Sequence, residues 1–137
     1  MKVLIVEDDP VVRRILEDLL TRWQYEVVST TNGEQAIQAL QVENPPRLAV
    51  IDWQMPGMDG IEVAQHLQKL ENPPVVIFTT AYDAYALKAF EVHAVDYLLK
   101  PIRVARLLEA LERARGQTEG FLRKSAERGK LPADAVP

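Results

Sequence analysis

Two hydrophobic periodicities alternate along the chain. Val3-Leu4-Ile5-Val6 is a short apolar run that stops at Glu7-Asp8-Asp9. Continuous apolar runs of this length, closed by polar residues, are read as strands buried on both faces. Pro10 then suits a first helical turn, because its missing N–H would be unpaired there in any case. Val12, Ile15, Leu16 and Leu19 follow at helical spacing, with Arg13, Arg14, Glu17 and Asp18 on the other side. Glu26-Val27-Val28 predicts a second, weaker strand, Asn32-Gly33 a turn, and Ala36, Ile37 and Leu40 a short helix. Leu48-Ala49-Val50-Ile51 predicts a third strand, entered through Asn44-Pro45-Pro46. Gly57 and Gly60 bracket a loop before a helix carrying Ile61, Ala64 and Leu67, which Pro73-Pro74 ends. Val75-Val76-Ile77-Phe78 predicts a fourth strand, Ala84 to Glu91 a short helix, and Asp96 to Leu99 a fifth strand closed by Pro101. Val104, Leu107, Leu108 and Leu111 give the clearest amphipathic stripe.

Five strand–helix units in succession predict an α/β fold: a parallel sheet with helices on both faces, since right-handed crossovers place them there. Sheets of this kind carry their sites at the carboxyl ends of the strands, near the switch in strand order. Glu7-Asp8-Asp9 follows strand one, Asp52 ends strand three, Thr79-Thr80 end strand four and Lys100 follows strand five. Carboxylates gathered at one sheet edge repel, and a hard divalent cation relieves them. Mg²⁺ prefers oxygen ligands, keeps several waters and works beside phosphate. The set suits phosphoryl chemistry on a carboxylate nucleophile, a role that Asp can fill covalently.

Composition narrows the reading. A chain of 137 residues, 47% apolar and 26% charged, fits one folded domain with its own core. The absence of cysteine excludes disulfides, thiolate metal sites and a Cys nucleophile. The apolar runs are too short to cross a bilayer, and the N-terminus starts as a strand rather than a signal segment. A soluble, cytoplasmic protein with no membrane role is the expectation. The net charge of −4 is unevenly spread: residues 1–102 carry 8 basic and 15 acidic residues, and residues 103–137 carry 8 basic and 5 acidic. No reading motif accompanies the basic tail, so direct nucleic-acid binding by this chain is not expected. From Gln117 onward the composition changes, which suggests a domain over 1–116 and an extension or linker stub over 117–137. The tail either prolongs the last helix to about Arg128 or forms a linker.

Four motifs carry a family resemblance: Val-Glu-Asp-Asp-Pro at 6–10, Asp-Trp-Gln-Met-Pro-Gly-Met-Asp-Gly at 52–60, Thr-Ala at 80–81 and Lys-Pro at 100–101. In this order and spacing they resemble the receiver domains of bacterial two-component response regulators, over about residues 2–115. The stretch from Thr80 through Phe90 to Asp96-Tyr-Leu-Leu-Lys-Pro is particularly similar to receivers attached to LytTR-type DNA-binding domains. The resemblance implies a flavodoxin-like (βα)5 fold with strand order 2-1-3-4-5.

It also implies roles. Asp52 would be the phosphoryl acceptor, served by a sensor histidine kinase or phosphotransfer protein. Asp8 and Asp52 would bind Mg²⁺ (or Mn²⁺), with the Gln54 backbone carbonyl as a further ligand and Glu7 acting through a bound water. Lys100 would pair with Asp52 and then with the phosphoryl oxygens. Thr80 would swing toward the phosphoryl group and Tyr97 would be the aromatic rotamer switch. Gln54 and Tyr82 would tune the loss of phosphate, with neither acidic nor strongly basic. Lys100–Pro101 would be a cis peptide. The helix at Ala84–Glu91, strand five and the last helix would form the surface that controls a partner, an output domain or a homodimer, with Arg103, Arg106, Glu109, Glu112 and Arg113 supplying charge.

Simpler readings stand beside these. Asp9 and Asp59 suit helix caps and turns, and Met55, Pro56 and Met58 suit loop packing. His66 lies on a polar helix face and His93 in a loop. Trp53 is expected to be partly exposed beside the site, and Trp23 and Tyr25 to be packing residues. A phosphohydrolase of the haloacid-dehalogenase type would also use a strand-end Asp with a metal and a lysine, but it needs a second Asp where Gln54 stands. A receiver fold that serves as an unphosphorylated interaction module would need a damaged site, and this one reads as complete.

Overall fold

A computed structural model describes residues 1–55, 57–81 and 94–127, with side chains through residue 118. Pro56, Tyr82, the helix expected at Ala84–Glu91 and His93 lie outside the described residues. Five strands form one parallel sheet: β1 (Lys2–Val6), β2 (Glu26–Thr30), β3 (Leu48–Asp52), β4 (Val75–Thr80) and β5 (Asp96–Leu99). Their order is β2-β1-β3-β4-β5, the flavodoxin-like order. The chain steps outward from β1 to β2, then crosses back to β3 on the other side. That reversal lies between β1 and β3, where Val6 pairs with Ile51.

The helices described are α1 (Pro10–Arg22), α2 (Gly33–Ala39), α3 (Gly60–Gln68) and α4 (Val104–Glu127). Their starts are written in side chains. The Asp9 carboxylate accepts from Val11 N–H at 2.9 Å, the Asn32 side chain from Gln35 N–H at 2.9 Å and Asp59 from Glu62 N–H at 2.9 Å, so donors that the helix itself leaves unpaired are satisfied. Asp9 and Asp59 are therefore caps. α4 runs unbroken through the 116/117 boundary drawn from composition. Among the described residues no helix is long and apolar enough to cross a membrane.

Alternation along the strands divides the core in two. Leu4, Val6, Ala49, Ile51, Val76 and Phe78 face α2 and α3, meeting Ala36, Leu40, Val63, Ala64 and Leu67. Val3, Ile5, Leu48, Val50, Ile77 and Leu98 face α1 and α4, meeting Leu16, Leu20, Leu107, Leu111 and two alanines, Ala110 and Ala114. A strand buried on both sides has no polar face, which is why the strand runs are continuously apolar.

The helix stripes are rotated from the sequence expectation. On α1 the buried ridge is Leu16–Leu20, with Val12 beside it, and Ile15 is 50% exposed. On α4 the seam is Leu107, Ala110, Leu111 and Ala114, and Val104 and Leu108 face outward. Alanine weighs little in a hydrophobic pattern, yet it lets the helix lie close to the sheet. Trp53 is also a correction: it is 5% exposed, not partly open, and its ring meets Phe78 edge-on at 4.7 Å. Trp23 and Tyr25 do pack against the core.

α1 ends in a reversal that the chemistry of the residue does not favour. Gln24 has φ 70°, while Tyr25 N–H reaches back to Leu20 O at 3.0 Å and Gln24 N–H to Thr21 O at 3.0 Å. This is the left-handed helix stop that glycine fills without a Cβ penalty. Gln24→Gly is expected to raise unfolding free energy by about 0.5–1 kcal/mol, read from the urea midpoint at unchanged slope.

Candidate functional site

The β1–β3 reversal brings two acidic segments together. Asp52, the last residue of β3, is 3% exposed, and Glu7, the first residue after β1, is 1% exposed. Glu7 is fixed by its backbone, since its N–H donates to Thr30 O at 3.1 Å. Oxygens of Glu7, Asp8 and Asp52 all lie within 4.8 Å of one another, with Asp8 open to solvent. From the far side β5 delivers Lys100. Its Nζ stands 3.2 Å from Asp52 Oδ1 and 3.1 Å from Glu7 Oε1, and its backbone N–H donates to Thr80 O at 2.7 Å. The Lys100–Pro101 peptide is cis.

One ammonium among three carboxylates leaves an excess of negative charge. Burial first, and then the neighbouring Asp52 carboxylate, push the Glu7 carboxyl from 4.5 up to about 7, against the opposing pull of the Asp9 N–H and Lys100. Burial alone would lower the Lys100 ammonium. The Asp52 charge and the Glu7 carboxyl outweigh it and hold Lys100 above its ordinary value. Among the described residues Glu7 Oε1 is buried without a hydrogen-bond partner, leaving the ionic contact to Lys100 as its compensation. An all-oxygen donor set with surplus negative charge and one under-satisfied buried oxygen fits a hard divalent cation.

The loop after β3 is held tightly against this cluster. Trp53 N–H donates to Thr79 O at 2.9 Å and Gly60 N–H to Trp53 O at 2.8 Å. A Cβ at Gly60 would lie 2.5 Å from Asp52 O and 2.7 Å from Trp53 Cα, so only glycine lets α3 begin this close to the Asp52–Trp53 peptide. Gln54 N–H reaches Asp52 Oδ1 at 3.4 Å.

The structure thus gathers Glu7, Asp8, Asp52, Gln54 and Lys100. Thr80 is fully buried at the end of β4, one residue beyond the Asp52–Thr79 register pair. Tyr97 is half-buried on β5 and packs against the cluster that contains Phe78. Tyr82 lies outside the described residues. His66 is exposed, as its polar surroundings predict.

Two features escaped the sequence. Arg13, read as a polar-face residue of α1, donates from Nη1 to Glu7 O at 2.9 Å and Asp8 O at 3.5 Å. Asp96, at the start of β5, receives Arg106 at 2.6 and 2.9 Å and Arg113 at 2.9 Å. Burial would raise the Asp96 carboxyl, but the Arg106 hydrogen bonds, the Tyr97 N–H and the two guanidinium charges bring it below its usual value. No spacing rule marks either contact, because each joins residues from different elements.

Comparison with known proteins agrees with this geometry. A family model described as the response regulator receiver domain matches residues 3–112. The chain is 45% identical over 117 residues to the positive alginate biosynthesis regulatory protein of Pseudomonas aeruginosa, covering 83% of this chain and 47% of that one. It is 37% identical over 129 residues to the sensory transduction protein LytT of Bacillus anthracis, covering 93% of this chain and 52% of that one. The chain spans about half the length of these curated relatives. Among solved structures, response regulator protein TrrA from Thermotoga maritima, in complex with Mg²⁺–BeF, matches at TM-score 0.74 and 30% identity. That match covers 82% of this chain and 97% of TrrA.

The raised Glu7 carboxyl sets a pH dependence. The folded, metal-free protein binds a proton at Glu7 that the unfolded chain releases from about 4.5, so stability falls as pH rises from about 4.5 to about 7 and then levels. Glu7→Gln is expected to remove this slope and to gain on the order of 2 kcal/mol over the wild type at pH 8 in chelator. Urea unfolding at pH 5 and pH 8 measures both.

Proposed function

The chain belongs to the response regulator receiver domain family, and on that premise we propose that it is a phosphoryl-accepting switch with Asp52 as the acceptor. Receiver domains are the signalling modules of two-component systems. The observation that carries the residue-level reading is the Lys100 ammonium at 3.2 Å from Asp52 and 3.1 Å from Glu7, inside a group of three carboxylates.

The donor is a sensor histidine kinase or phosphotransfer protein. An Asp52 oxygen attacks phosphorus in line, and the bond from phosphorus to the donor nitrogen breaks. Such transfer depends mostly on positioning and charge neutralisation. Asp8, Asp52, the Gln54 carbonyl and, through a water, Glu7 would hold Mg²⁺ (or Mn²⁺), which supplies neutralisation of the phosphoryl oxygens. The Mg²⁺–BeF complex of TrrA supports this assignment by similarity. Lys100, already paired with Asp52, follows the new negative charge. Thr80 turns its hydroxyl toward the added oxygens, and Tyr97 takes up the space it leaves. The change then reaches the β5–α4 face, where it alters a partner, an output domain or a homodimer contact. The chain catalyses only its own phosphorylation and dephosphorylation, in a cytoplasmic setting. Residues 1–116 carry the switch and residues 117–137 extend from it.

Incubation with acetyl phosphate and Mg²⁺ is expected to add one phosphoryl group by intact mass, and Asp52→Asn to add none. An unmodified wild-type mass, where a control receiver is labelled, would sink the proposal. Gln54 and Tyr82 offer no acidic or strongly basic group for water attack. The phosphorylated form is therefore expected to persist well beyond seconds, and a lifetime of seconds by the same mass assay would count against their assigned role.

A further inference from the structure

We infer that Arg13 is a positioning residue for the acidic turn, tethering the backbone between Glu7 and Asp8 so that their carboxylates are held ready for a divalent cation. The inference rests on the reading that Asp8 and Asp52 hold that cation. Arg13 sits in the first turns of α1, where its own N–H donates to Asp9 O at 2.9 Å. Its guanidinium folds back over the helix start. Nη1 donates to Glu7 O at 2.9 Å and lies 3.5 Å from Asp8 O. Nε lies 3.8 Å from Glu17 Oε1, and that same oxygen accepts from Ser29 Oγ at 3.0 Å on β2. The tether therefore runs from the turn through α1 to the edge strand.

Physical reasons give this contact a job. Three carboxylates within 4.8 Å repel when no cation is bound, and Asp8, the exposed member, has the freedom to swing away. Asp9 is committed to capping α1. The capping bond and the Arg13 bonds fix the turn from both ends, and neither uses a carboxylate oxygen of Glu7 or Asp8. The backbone is held without drawing on the Asp8 carboxylate, while Glu7 Oε2 accepts from Asp9 N–H at 3.2 Å and Glu7 Oε1 faces Lys100 at 3.1 Å. A planar guanidinium suits this role better than an ammonium, since it presents its donors in a fixed fork. Groups that orient ligands from outside the coordination sphere commonly contribute 10–100-fold in metal affinity.

The sign of the effect separates a tether from a mere nearby charge. If Arg13 acted only through its positive field, its removal would favour a cation, and affinity would rise. A tether predicts the reverse. Mg²⁺ titration followed by Trp53 fluorescence, in a Trp23→Phe background, measures the affinity directly. Arg13→Met is expected to weaken Mg²⁺ binding about tenfold, with Arg13→Lys between it and the wild type. Exchange of the Asp8 and Asp9 amides in the metal-free protein should quicken in Arg13→Met. The acetyl phosphate reaction should need about tenfold more Mg²⁺ for half its maximal rate while that maximum stays within twofold.

Unchanged or tighter Mg²⁺ binding by Arg13→Met overturns the inference and leaves the proposed function standing. A wild-type protein that binds no Mg²⁺ overturns the reading beneath both. If Arg13→Met does not fold, Arg13→Lys decides: weaker binding at retained charge supports the tether, and wild-type binding overturns it.

Discussion

One ammonium shared between two buried carboxylates governs this molecule. Lys100 meets Glu7 and Asp52 at nearly equal distances, and a third carboxylate waits at the surface. Burial magnifies every charge in such a place, because water is not there to screen it. The cluster is left short of positive charge, and a proton on Glu7 makes up part of the deficit. Its all-oxygen donor set therefore fits a hard divalent cation. Removing Lys100 would leave the two buried carboxylates, Glu7 and Asp52, without the charge between them.

The remaining architecture serves to hold these groups against their repulsion. β1 and β3 are neighbours, so Glu7 and Asp52 emerge side by side. β4 and β5 close the row and deliver Thr80 and Lys100. The cost of placing charge at a sheet edge is offset by two apolar layers beneath it. Gly60 completes the arrangement by letting α3 begin against the Asp52 carbonyl.

Much of this was legible because it is local or periodic. Each strand appears as a short apolar run followed by polar residues, so the parallel sheet and the site edge follow from elementary rules, whereas the strand order came from the family resemblance. The convergence of Asp8, Asp52 and Lys100 required only that order. Patterns failed where a contact depends on which side of a helix meets the sheet. Ile15 has the right spacing for the core but is turned from it by one helical step, because Leu16 and Leu20 make the better ridge. Leu108 loses its place to Ala110 and Ala114, whose value lies in what they omit. Trp53, beside a solvent-facing turn in sequence, is buried because the loop folds back through Gly60. Arg13 and Asp96 carried no signal at all, since an arginine on a polar helix face looks alike whether it meets water or a carbonyl.

The last helix gives the molecule a mechanical property. α4 has 24 residues, a rod of about 36 Å at the usual rise. Its base is moored to β5 by Arg106 and Arg113 on the single carboxylate of Asp96, beside Tyr97. Ala114 and Thr118 are still buried beyond this mooring, and from Thr118 to Glu127 the helix continues for roughly 14 Å. A tilt of about 5° at Thr118 would displace Glu127 by roughly 1 Å over that length. Any change in the tilt of this helix is therefore larger at Glu127 than beside Asp96.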